Sequence, residues 1–124
     1  MTSNDARVKQ IFKIDLDGAI DIAGMDGTTA VGNAVAKTLF LDVVQVLVNN
    51  GFSATFDIPS KIEGLTFGRD VTRRGQTFHT LWVANDNDFV NETGDTPPVA
   101  NPNQFFVFGF TDADLGGSVF VPQF

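Results

Sequence analysis

Residues Lys61–Phe89 read KIEGLTFGRDVTRRGQTFHTLWVANDNDF, and the fold follows from how this stretch is parsed. Ile62–Phe67 and Gln76–Asn85 are apolar-rich and strand-like, and the polar, Gly-bearing segment between them has the composition of a turn. In the second strand Phe78, Thr80, Trp82 and Ala84 fall on one face, and Thr77, His79, Leu81 and Val83 on the other. Both faces carry bulk, which predicts a strand covered on both sides. Glu63 stands among Ile62, Leu65 and Phe67, an unusual place for a charge. Asn85, Asp86, Asn87 and Asp88 arrive where the second strand should end. The stretch is a β-hairpin with a carboxylate and an Asx cluster at its open end.

Upstream, Arg7–Leu16 alternates: Val8, Phe12, Ile14 and Leu16 on one side, Lys9, Lys13 and Asp15 on the other. Gln10 and Ile11 are the exceptions, and the period predicts a half-buried strand. Asp17-Gly18 makes a turn, and the Gly-rich run from Ala19 to Asn33 reads as a loop with one short strand. From Ala34 to Asn50, Val35, Leu39, Val43 and Leu47 recur at helical spacing opposite Lys37, Asp42, Gln45 and Asn49. The spacing predicts an amphipathic helix over 34–50 lying on the sheet, capped by Asn33 and ended by Gly51 in a left-handed turn. Phe52–Ile58 reads as a short strand stopped by Pro59.

Downstream, Asn91–Asn103 holds three prolines and reads as a loop. Gln104–Thr111 alternates as a strand, Asp112–Gly117 turns, and Ser118–Val121 reads as a last strand. Gln10–Asp17 and Gln104–Thr111 share the Gln, the Phe and the alternation, 94 positions apart, and each runs into an Asp-rich turn. That separation suits one propeller blade, which repeats at about 40–50 residues, enlarged by the helical insertion.

A chain of 124 residues is one domain or part of one, here 1–124, and 43% apolar residues with 13 Phe supply a core. The net charge of −7 argues against a nucleic-acid partner and fits a divalent cation better. With no cysteine, neither a disulfide framework nor a thiolate metal site can form. The N-terminal MTSNDARVKQ lacks the apolar core of a signal peptide, so the chain taken literally is soluble and not exported. Taken as a fragment, it says nothing about export. The longest apolar-rich run, Leu39–Val48, is interrupted by Asp42 and Gln45 and is too short to span a bilayer.

Two sets of residues carry candidate chemistry. Glu63 with Asn85, Asp86 and Asp88 offers the carboxylate and amide oxygens that calcium takes, if neighbouring strand ends converge. The same residues can instead pair Glu63 with Lys61, Arg73 or Arg74 and leave the Asx cluster to form turns. An EF-hand does not fit, because Val90 stands at its fifth position and no Gly follows. Arg69, Arg73 and Arg74 form the one basic patch, suited to a phosphoester if the turn borders a pocket and otherwise simply solvated. His79 is the only histidine, and no serine lies in a G-x-S-x-G context. It reads as a structural strand residue, and zinc would need more ligands than it can supply.

The segments KIEGLTFG, TLWVANDNDF and NPNQFFVFGF, with QIFKIDLDGA before them, resemble consecutive strand motifs of the phytase-like family, "esterase-like activity of phytase". The resemblance runs from about Val8 to Leu115. It implies a β-propeller-like, secreted or periplasmic bacterial protein that hydrolyses phosphoesters or other esters. More distant similarity to calcium-dependent propeller enzymes makes Glu63, Asn85 and Asp86 calcium ligands by analogy. It assigns no catalytic residue.

A propeller takes about four or more four-stranded blades. The fold expected is therefore mainly β, an incomplete propeller-like fragment of about one to one and a half antiparallel blades, the C-terminal portion of a longer protein. Its cut faces would meet the remaining blades or a second copy. A site around a central channel needs the rest of the ring, so the isolated chain is expected to be catalytically silent. The alternative is a non-catalytic structural or binding fragment.

Overall fold

The structure is a computed structural model and describes residues 8–55, 57–92 and 97–122. In chain order the elements are β1 (Gln10–Ile14), α1 (Gly27–Gly32), β2 (Lys37–Asp42), α2 (Val43–Asn49), β3 (Ile62–Arg73), β4 (Gln76–Asn85) and β5 (Phe105–Phe110). A 3-10 turn at Asp112–Leu115 follows. The strands form two antiparallel sheets, β1–β2 and β3–β4–β5. The mainly β reading holds. Neither sheet closes on itself or reaches four strands among the described residues.

The hairpin forms as its sequence dictates. Arg74 (φ 52°) and Gly75 (φ 80°) turn the chain between the paired residues Arg73 and Gln76. Positive φ at both positions matches the twist of the flanking strands. β5 adds to the far side of β4 with Leu81 opposite Phe108 and Val83 opposite Phe106. Its burial alternates: Phe106, Phe108 and Phe110 turn in, while Phe105, Val107 and Gly109 turn out.

Against the inner face of this sheet pack α2 and the inward residues of β1 and β2. Val43, Leu81 and Val83 are each 1% exposed and centre the core, with Leu47, Ile58 and Leu115 around them. Burying side chains of this size stabilises by about 1.5–3 kcal/mol each. The rings of Phe40 and Phe110 meet edge-on at 5.3 Å across the two sheets.

Several expectations are corrected. The helix expected over 34–50 is half strand: Lys37–Asp42 pairs with β1, and only Val43–Asn49 is helical. Asp42 closes the strand and caps the helix, its carboxylate accepting from the Gln45 N–H at 2.9 Å. The D-x-x-Q spacing is a helix start, not an interior. Gly51 does end the helix with φ 92°, its N–H donating to the Val48 carbonyl. Asn33, expected as its cap, ends the short α1 instead, inside the segment read as loop with a strand.

β1 faces the opposite way from its apolar pattern. Ile11 and Lys13 are half-buried, while Val8, Phe12, Ile14 and Leu16 are exposed. The reason is a bulge at Phe40, which lies unpaired between Leu39 and Leu41, and the Lys13 ammonium, which donates to the Leu115 carbonyl. An inward lysine with a partner is tolerated where an unpaired one is not. In the stretch read as strand over 52–58 the described residues form turns, and Phe56 lies outside them. Ser118–Val121 joins no sheet.

β4, expected to be covered on both sides, is closed on its inner face and only partly covered on its outer one, where Thr80 is buried and Phe78 and Ala84 are half-buried. Trp82 on its outer face is 41% exposed. No helix among the described residues is long and apolar enough to cross a membrane.

Candidate functional site

The open end of the hairpin brings together Lys61, Glu63 and Asp88. Lys61 Nζ lies 2.6 Å from both Asp88 carboxylate oxygens and 3.5 Å from Glu63 Oε1. Hydrogen bonding to Asp88 holds the Lys61 ammonium above the ordinary lysine range. Both partners are about half exposed, so the cluster registers the strand ends without adding much stability.

Asn85 is buried and fully engaged. Its Oδ1 accepts from the Gln104 N–H at 2.6 Å and its Nδ2 donates to the Pro102 carbonyl at 3.2 Å. It substitutes for strand pairing where β5 begins. Asp86 and Asn87 each accept from the backbone two residues on, which holds Asp88 (φ 53°) and Phe89 (φ 60°) in left-handed conformations. Asn101 then ties the returning loop down, donating to the carbonyls of Asn87 and Val90.

At the open end of the hairpin these oxygen-bearing residues are engaged by groups of the protein itself. The Lys61 ammonium stands between Glu63 and Asp88, and the Asn85 amide is spent on the backbone. Among the described residues no group of three or more His, Cys, Asp or Glu is placed to hold a metal. Asn85→Ala should lower stability by about 2 kcal/mol in urea denaturation, with or without calcium, because it strands a buried N–H and carbonyl. A loss seen only when calcium is present would instead make Asn85 a ligand.

The arginines lie toward the other end of the hairpin. From Glu63, six residues of strand lead to Arg69 and ten to Arg73, about 20 and 33 Å at 3.3 Å per residue. The two candidate sets do not meet. Arg69 and Arg73 border a groove on the outer face of the three-stranded sheet, and Arg74 is in the turn. None of the three has an ion pair with another described residue.

A bulge between Gly68 and Val71 sets Arg69 and Asp70 together opposite His79. Arg69 lines both the outer groove and a shallow pocket shared with Asp70, Phe120 and Pro122, and its carbonyl accepts from Thr80 Oγ1 at 2.9 Å. Asp70 meets His79 on the inner side, with Oδ1 2.9 Å from Nδ1. Asp112 Oδ1 lies 3.2 Å from His79 Nε2, and Phe120 stacks on the imidazole at 4.2 Å. The single histidine therefore clamps β3, β4 and the segment after β5. Sequence spacing could not pair residues 70, 79 and 112, and the bulge that aims Asp70 left no sequence signal.

Only the imidazolium can donate to both carboxylates. The Asp70 hydrogen bond, reinforced by that from Asp112, raises the His79 pKa above its ordinary 6.5. A group with a raised folded-state pKa contributes its full stability below the unfolded value, and that contribution is lost as pH rises through the folded value. Stability should fall as pH climbs above about 6.5, and His79→Gln should flatten that dependence in thermal melts. Asp42 and Asp114 act oppositely: hydrogen bonds from Gln10 and from Thr111, respectively, lower their pKa values, so their contributions disappear only in acid.

A sequence profile of the Phytase-like family, described as esterase-like activity of phytase, matches residues 1–89. The chain belongs to that family. The match takes in the IEG strand and the WVANDNDF segment, and ends before the Gln104–Thr111 strand. No curated protein and no solved structure matches the chain.

Proposed function

We propose that this chain is part of an ester hydrolase acting on phosphoesters or other esters, with Arg69 and Arg73 receiving the anionic group. The observation that carries the reading is the family match over residues 1–89. Two arginines without ion-pair partners among the described residues, both lining one groove, support it. Guanidinium is suited to phosphate and carboxylate oxygens because its planar fork matches them in pairs.

Calcium enters this reading only by exchange, since it would have to displace Lys61 from Glu63 and Asp88. No step is assigned to it. The propeller arrangement remains part of the proposal and is supported by the three-stranded sheet, in which β4 is central and, among the described residues, β3 and β5 are unpaired on their far sides.

The test is hydrolysis of 4-nitrophenyl phosphate and 4-nitrophenyl acetate by the chain, with and without calcium. Arg69→Gln together with Arg73→Gln should reduce turnover at least tenfold at unchanged melting temperature, while Glu63→Gln should leave it unchanged. No turnover above the double variant would remove the catalytic reading for this chain by itself. A second reading, a non-catalytic sheet module, is favoured by the engagement of Asn85 and Asp88 within the protein. It predicts no ester turnover by the unsubstituted chain or by any of these variants.

A further inference from the structure

The outer face of the three-stranded sheet has an organisation that the inner core does not require. Across it runs one row, Gly68–Thr80–Gly109, in direct register over β3, β4 and β5. On either side stand aromatic residues, Trp82 and Phe78, whose rings lean towards the glycines. A Cβ on Gly68 would lie 2.3 Å from Trp82 Nε1, and one on Gly109 would lie 3.4 Å from Phe78 Cβ. Val71 and Val107 flank them at 51% and 49% exposure. The result is an open groove of about 560 Å³, within the usual range for a small-molecule site.

Its polar content is small and of one sign. Thr80 is buried, with its hydroxyl committed to the Arg69 carbonyl. Arg69 and Arg73 also line the groove, and no Asp or Glu among the described residues does. In a chain of net charge −7, two guanidiniums on an apolar, acid-free surface form a local reversal of field. A polyanion would need more cations than two. An uncharged apolar body would leave both guanidiniums unanswered.

We propose that this groove binds an amphiphilic monoester anion: a planar apolar body, stacked on Trp82 and Phe78, carrying one phosphate or carboxylate held by Arg69 and Arg73. The inference rests on the hydrolase reading for the role of the arginines and narrows its substrate class to apolar, singly headed esters.

Trp82 is the only tryptophan, so its emission reports on the groove. Phenyl phosphate or benzoate should change that emission saturably at concentrations where inorganic phosphate and phenol do not. Inositol hexakisphosphate should bind no more tightly than phenyl phosphate. Arg69→Gln and Arg73→Gln should each weaken binding about tenfold, the loss typical of one charge-assisted contact. With no ion pair to another described residue, these arginines can be replaced without unfolding the chain, and circular dichroism checks this.

Absence of a saturable change, an equal response to inorganic phosphate, or indifference to both arginine variants would overturn the proposal. So would a dimer in sedimentation whose Trp82 is shielded from iodide, since a second copy would then cover the face. Ester turnover without such binding would sink this inference and leave the hydrolase reading standing. Binding without turnover would do the reverse.

Discussion

Gly68→Val should destabilise the protein by about 3 kcal/mol, the upper part of the range for overpacking a filled site. The difficulty is space, since the new Cβ would fall 2.3 Å from Trp82 Nε1, 2.6 Å from Thr80 Oγ1 and 2.7 Å from Trp82 Cδ1. None of these is the loose end of a flexible chain. The indole meets Phe105 edge-on, and the Thr80 hydroxyl is hydrogen-bonded to the Arg69 carbonyl. In urea denaturation the midpoint should fall at unchanged slope. Most of the loss should disappear when Gly68→Val is made together with Trp82→Ala, which removes the obstacle. An equal loss in both backgrounds would mean that the indole does not lie over Gly68.

Leu81→Ala should be as damaging, at about 3 kcal/mol, for the opposite reason. Leu81 is 1% exposed at the centre of β4, opposite Phe67 on one side and Phe108 on the other. Truncation leaves a cavity under α2 that fixed strands cannot close. The contrast is Val107→Ala on the other face, where the side chain is 49% exposed and the change should be worth less than about 0.5 kcal/mol. Thermal melts of the pair would distinguish the faces. Similar losses at both positions would show that the outer face is covered in solution.

The hairpin was legible because local rules agree there. Alternation, a Gly-bearing polar turn and bounding Asx residues all point to Ile62–Asn85. The segment 34–50 was misread because Leu39, Val43 and Leu47 keep helical spacing across a change of structure, and β-branched Val43 to Val48 do not discriminate. Pairing of Lys37–Asp42 with β1 is a long-range fact that periodicity cannot carry. The inverted face of β1 has the same origin, since it depends on a bulge and on a lysine partner a hundred residues away.

At the candidate site the sequence showed which side chains were out of place, not where they would go. Glu63 is conspicuous in the sequence, and Lys61 two positions before it is a pairing partner the sequence itself offers. That Asn85 would satisfy the backbone at Pro102 and Gln104 was not visible, because the returning loop sets it. The groove was legible only as exposed positions in two strands. It required the cross-strand register to align Gly68, Thr80 and Gly109.

The two-residue turn at Arg74-Gly75 also sets an order of events. β3 and β4 can meet within microseconds, because almost no chain must be closed between them. β1 and β2 must instead bring together ends separated by the whole Asp15–Ala36 stretch, and β5 waits on the loop after Asn85. Closing such segments loses entropy before any contact compensates it. Folding should start at the hairpin, with Trp82 carried on the first structure to form. The indole would therefore record the nucleus, while the docking of α2 and β1 would pass later and leave little trace in its emission.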